Sequence, residues 1–71
     1  MPTIDAVREK IIARQEWKPI GWLARLARKA GWAPGTVTMF RNGTYIGNNE
    51  LLASTLAAAM DQEDREELER G

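Results

Sequence analysis

The sequence predicts an all-α domain, a compact bundle of four or five helices built around a helix-turn-helix. Three observations predict it. Apolar residues recur at three- and four-residue spacing in every ordered segment. No stretch alternates apolar and polar residues as a half-buried strand does. Leu23–Asn42, LARLARKAGWAPGTVTMFRN, carries the register of two helices that cross at a tight turn.

The first helix is expected over Met1–Glu16. Thr3 is a suitable N-cap, and Asp5 places a negative charge in the first turn, where it suits the helix dipole. Ile4, Val7, Ile11 and Ile12 are expected to face the core. Arg8, Glu9, Lys10 and Arg14 lie elsewhere on the surface, and the helix reads as structural. Trp17-Lys18-Pro19 ends it, because the residue before a proline avoids helical angles.

A second helix starts near Ile20 or Gly21 and runs to Ala30. Leu23, Leu26, Ala27 and Ala30 face inward; Arg25, Arg28 and Lys29 face out. Those three bases, with Lys18, are placed to touch DNA phosphates. They are equally a solvated basic face of the kind that favours a helix C-terminus. Gly31 supplies the left-handed backbone that ends the helix.

Pro34 suits the first position of a third helix, and Ala33 is a weak N-cap before it. Val37 and Phe40 form its inner face. Gly35, Thr36, Thr38, Met39, Arg41 and Asn42 remain outside, where Gly35 lets the backbone approach a phosphate or base edge. Threonine, methionine and one arginine reach phosphate and the thymine methyl group but make few bidentate base contacts. Weak sequence preference follows. A helical hairpin that only builds a core is the alternative.

Asn42–Asn49 reads as a loop with turns at Asn42-Gly43 and Gly47-Asn48. Tyr45 and Ile46 anchor it on the core, with the Tyr45 hydroxyl in reach of a phosphate. Asn48 or Asn49 caps a fourth helix whose buried stripe is Leu51, Leu52, Leu56 and Met60, with Ala53, Ala57, Ala58 and Ala59 permitting close approach. Residues 1–60 therefore form the domain. Residues 61–71 are an acidic extension, a short fifth helix or a frayed end. Trp17, Trp22 and Trp32 are expected to pack in the core, Trp22 being the most exposed; base stacking is the other use for them.

Composition narrows the function. The 71 residues contain no Cys and no His, which excludes a disulfide frame, a Cys/His zinc site and any Cys or His nucleophile or base. No metal, cofactor, small-molecule substrate or enzymatic activity is expected. No apolar run reaches membrane-spanning length and no signal-peptide pattern opens the chain, so a cytoplasmic location is expected. The net charge is zero, but it is divided. Up to Gly47 eight bases face three acids; from Asn48 two bases face seven acids. The acidic end is expected to oppose DNA binding.

Ala30-Gly31, then Gly35-Thr36-Val37-Thr38 followed by Phe40, then Tyr45, Gly47, Asn49 and Glu50 form an ordered set. In these residues the chain resembles the N-terminal domain of the phage Mu B transposition proteins and their relatives in Mu-like transposable phages. The resemblance covers the middle third of the chain and extends to the flanking helices in pattern. It implies a lambda-repressor-like fold and a domain that in this family precedes a linker and an AAA+ ATPase domain. It also implies DNA transposition: target DNA bound with little sequence specificity, polymerisation on it and delivery to the transposase. No Gly-Lys-Ser/Thr phosphate loop lies within the 71 residues, so the resemblance implies either an isolated N-terminal domain or a truncated piece of a longer protein. Ala33 stands where the family has Ser, and the acidic end is a second departure.

The expected partner is duplex DNA, bound weakly through Pro34 to Asn42 with phosphates held by Lys18, Arg25, Arg28, Lys29 and Arg41. The alternatives are a protein-interaction module contacting an ATPase domain, a transposase or another copy of itself, and a small free-standing phage repressor.

Overall fold

A computed structural model describes residues 3–70, which form four helices and no strand. α1 spans Ile4–Gln15, α2 Trp22–Ala30, α3 Pro34–Asn42 and α4 Asn49–Arg70. The part of the expected first helix before Thr3 lies outside the described residues.

Local chemistry sets each boundary. Thr3 caps α1, its Oγ1 accepting from the Ala6 amide at 3.1 Å. Gly21 holds φ at +90°, so α2 begins at Trp22, one or two residues after the expected start. At the other end of α2, Trp32 N–H donates to the Ala27 carbonyl at 2.8 Å and Gly31 N–H to that of Arg28 at 3.1 Å. That pair of bonds is a Schellman closure, and it requires the positive φ of Gly31. Gly43 closes α3 in the same way, through Thr44 N–H to Met39 and Gly43 N–H to Phe40. Ala33 caps α3 without a side-chain bond, as its methyl group dictates. Asn48 caps α4, its Oδ1 accepting from the Leu51 amide at 3.0 Å.

The core is one cluster. Val7 and Ile11 of α1, Trp22, Leu26 and Ala27 of α2, and Val37 and Phe40 of α3 meet Leu52, Ala53, Leu56, Ala59 and Met60 of α4. Ile4, Leu23, Ala30, Trp32, Tyr45 and Ala57 pack around it, partly buried. Four inward assignments are corrected. Ile12 and Leu51 are exposed, because each sits about 100° around its helix from a buried neighbour, Ile11 or Leu52. Ala58 is exposed for the same reason, beside buried Ala59. Ile46 is almost wholly exposed, and Tyr45 alone anchors its loop.

The tryptophans divide differently from the expectation. Trp22 is only 5 % exposed, and Trp17 is the exposed one. Trp32 is half-buried, and its indole donates to Thr55 Oγ1 at 2.7 Å. The acidic segment forms no separate fifth helix. It continues α4 without a break to Arg70, so α4 is 22 residues long, about 33 Å. No described helix is long and apolar enough to cross a membrane.

Candidate nucleic-acid interface

α3 is amphipathic by position rather than by strong charge. Val37 and Phe40 are fully buried, so Pro34, Gly35, Thr38, Met39 and Asn42 are exposed and Thr36 and Arg41 are half-buried. The Thr38 hydroxyl donates to the Pro34 carbonyl at 3.1 Å, which leaves its oxygen free to accept from outside. A Cβ at Gly35 would meet nothing, so this position leaves the backbone open to approach. Arg41 donates from Nη1 to Asn42 Oδ1 at 2.9 Å, while its buried Nε has no partner. Tyr45 is half-buried and lies across Gly47, where a Cβ would collide with the phenol ring.

The five bases expected to hold phosphates fall into two groups. Arg28 is exposed, and Arg28, Arg25 and Arg41 form no ion pair among the described residues. Lys18 and Lys29 are engaged by α4. The Lys18 side chain is only 8 % exposed, lying 3.2 Å from Glu63 and 2.8 Å from Glu67 and passing over the Trp17 ring. Lys29 pairs with Glu66. Arg25 lines the same cleft as Lys18, Lys29, Glu63 and Glu66, so it too stands beside acids.

Two further cations, Lys10 and Arg14, join this arrangement. Arg14 makes a bidentate pair with Asp64, at 2.9 Å and 2.7 Å, and approaches Glu63 at 3.8 Å. Lys10 reaches Asp61 at 3.9 Å. The Trp22 indole donates to both Glu63 oxygens, at 3.0 Å and 2.8 Å. Lys10, Arg14 and Lys18 meet Asp61, Asp64 and Glu67 in rising order on both elements, so α1 and the end of α4 run in the same direction. The sequence carries a trace of this in the four-residue spacing of Lys10, Arg14 and Lys18 and the three-residue spacing of Asp61, Asp64 and Glu67.

The pairing shifts the groups it joins. Hydrogen bonding to Asp64 raises the Arg14 pKa, and bonding to Glu67 raises that of Lys18; partial burial opposes both. The Arg14 hydrogen bond lowers the Asp64 pKa, and the Lys29 hydrogen bond lowers that of Glu66.

Among the described residues no group of His, Cys, Asp and Glu side chains forms a metal-binding cluster. The fold and this surface define a small all-α domain with an exposed, weakly charged helix face and a separate set of internally paired cations. Comparison with known protein families, with curated proteins and with solved structures finds no match.

Proposed function

We propose that the chain is a DNA-binding module of the helix-turn-helix type. α3 enters the major groove and Arg25, Arg28 and Arg41 meet the phosphates. The observation that carries this reading is the α2–Gly31–α3 unit. It buries Val37 and Phe40 completely while turning Pro34, Gly35, Thr38, Met39 and Asn42 outward. The weakly charged outer face supports weak sequence preference, since bidentate base readers are absent from Pro34 to Met39. The lambda-repressor-like arrangement and the setting of a Mu B-like transposition protein, with target DNA presented to a transposase, belong to the same proposal. They rest on the resemblance carried by Gly35 to Phe40 and Tyr45 to Glu50.

The test is an NMR titration with random-sequence duplex DNA. Affinity is expected at Kd of about 10⁻⁴–10⁻⁶ M, with amide shifts concentrated in residues 34–42. Three arginine contacts give a slope of log affinity on log salt of about −3. The absence of shifts in residues 34–42 at low salt defeats the reading.

A second reading, a protein-interaction face, is favoured by Met39, Ile46 and Leu51. These large apolar residues are exposed on the last turn of α3, the following loop and the first turn of α4. Sedimentation equilibrium separates it: association abolished by Ile46→Ser and Leu51→Ser supports the face, and a monomer at millimolar concentration removes self-assembly.

A further inference from the structure

Asp61 to Arg70 is tied to the molecule by charge. None of its residues is buried, and its only large apolar side chain, Leu68, is 79 % exposed. Its attachments are the pairs to Lys10, Arg14, Lys18 and Lys29 and the bond from the Trp22 indole to Glu63. The Lys10 and Lys29 pairs are open to solvent on both sides, and Arg14 and Lys18 are covered but meet Asp64 and Glu67, whose carboxylates stay in contact with water. Ion pairs that keep water contact are individually weak and fade with salt. Segments held in this way open at low cost compared with a buried core.

Beneath the segment lies a basic surface made by Lys10, Arg14, Lys18 and Lys29. The carboxylates along α4 offer it what a nucleic-acid strand offers: a row of anionic oxygens, one of them meeting a guanidinium in bidentate geometry. We propose that Asp61 to Arg70 is an intramolecular cover over a second DNA-backbone surface, and that duplex DNA competes with it. The inference rests on the DNA-binding reading above and adds its regulation. With the cover closed only the α3 face and its arginines bind; with it lifted, four more cations join. A cover closed nine-tenths of the time lowers the affinity of the hidden surface by about tenfold.

The experiment uses the full chain, a 20-base-pair random duplex, and two variants of equal net charge. E63Q/D64N/E66Q weakens the cover; E9Q/E16Q/E50Q removes three exposed carboxylates outside it. The cover variant is expected to bind about tenfold tighter at 50 mM salt than the control variant. Its salt slope steepens from about −3 to about −6 as four more contacts join. In the parent, added DNA is expected to shift the Trp22 indole N–H, which reports the bond to Glu63. The Trp32 indole N–H, bonded to Thr55 inside the fold, stays in place and certifies folding of each variant.

An equal gain in both variants overturns the cover, because net charge alone then accounts for it. Unchanged affinity in the cover variant, with residues 34–42 shifting throughout, overturns the cover and leaves the DNA reading intact. Shifts at residues 10, 14, 18 and 29 without any at 34–42 keep the cover and defeat the α3 reading. No shift anywhere in parent or variants defeats both.

Discussion

The clasp between Arg14 and Asp64 can be weighed by a double-mutant cycle of Arg14→Ala and Asp64→Asn. The structure sets the magnitude. The Arg14 side chain is 13 % exposed, but its partner carboxylate is 43 % exposed. Asp64 left alone rehydrates, and Arg14 left alone keeps Glu63 at 3.8 Å, so the large penalty of stranding a buried charge does not apply. The two short bonds exceed an ordinary surface pair, because guanidinium and carboxylate meet edge to edge. A coupling of about 1 kcal/mol follows, at the upper end of exposed pairs. Arg14→Ala also strips the packed alkyl stem, so its single effect is expected near 1.5–2 kcal/mol. For a domain of this size, 1 kcal/mol moves the melting temperature by about 4–8 °C. The assay is urea unfolding of the four proteins, repeated in 1 M NaCl, where the screening length falls to about 3 Å. The coupling is expected to fall by half or more. A coupling indistinguishable from zero at low salt, or one unmoved by 1 M salt, refutes the account of how α4 is held.

Phe40→Ala removes the largest fully buried side chain, over which Arg8 stacks at 5.1 Å, and is expected to cost about 3–5 kcal/mol. A melting temperature within a few degrees of the parent contradicts the inward placement of Phe40. Gly47→Ala drives a methyl into the Tyr45 ring and is expected to cost about 1–2 kcal/mol, with the Tyr45 ring resonances displaced. If Tyr45→Ala leaves the Gly47→Ala cost unchanged, the collision is not its cause. Acidification releases the end of α4. Asp64 faces Arg14, Lys10 and Lys18, and Glu66 faces Lys29 and Arg70, and both pKa values are lowered. The stability they supply is fully present above the ordinary carboxylate range. It is lost as pH falls through that range and down through the depressed folded values. The Trp22 indole N–H should shift over that interval while the Trp32 indole N–H does not.

What the sequence made legible was what spacing and backbone chemistry determine locally. Thr3, Gly31 and Asn48 mark helix ends because their caps depend on one or two residues, and the structure places all three there. Val37, Phe40, Leu52, Leu56 and Met60 were readable as core from helical spacing alone. Adjacent apolar pairs were not. Ile11 and Ile12, or Leu51 and Leu52, compete for one inward direction, and only the packing of the other helices decides between them. The burial of Trp22 is not legible locally: it joins a core cluster built from all four helices, and the acceptor for its indole, Glu63, lies 41 residues away. At the candidate site the outward set of α3 was legible, since it is the complement of the buried pair. The engagement of Lys18 and Lys29 is legible only in part: spacing shows a row of bases and a row of acids, but neither spacing nor net charge by segment says that the two rows meet.

The acidic end of α4 stands at the wrong end of its helix for the backbone dipole. Carboxylates oppose a helix in its last turn, where Glu67 and Glu69 fall, and Asp61, Glu63, Asp64 and Glu66 crowd the two turns before it with like charge. Arg65 and Arg70 offset only part of that repulsion. Nor does apolar burial hold these turns, because the buried stripe of α4 ends at Met60. The compensating field comes from outside the helix. Lys10, Arg14 and Lys18 stand about a turn apart on α1 and the loop after it, and Lys29 faces the same acids from α2. Helical order in this segment and its docking are therefore one event: cations that leave to meet a phosphate backbone take with them the field that keeps the last turns wound. That coupling gives the zero net charge a physical meaning. Four of the ten bases are matched within the fold by its least apolar segment, the segment with which, on the proposal above, DNA competes.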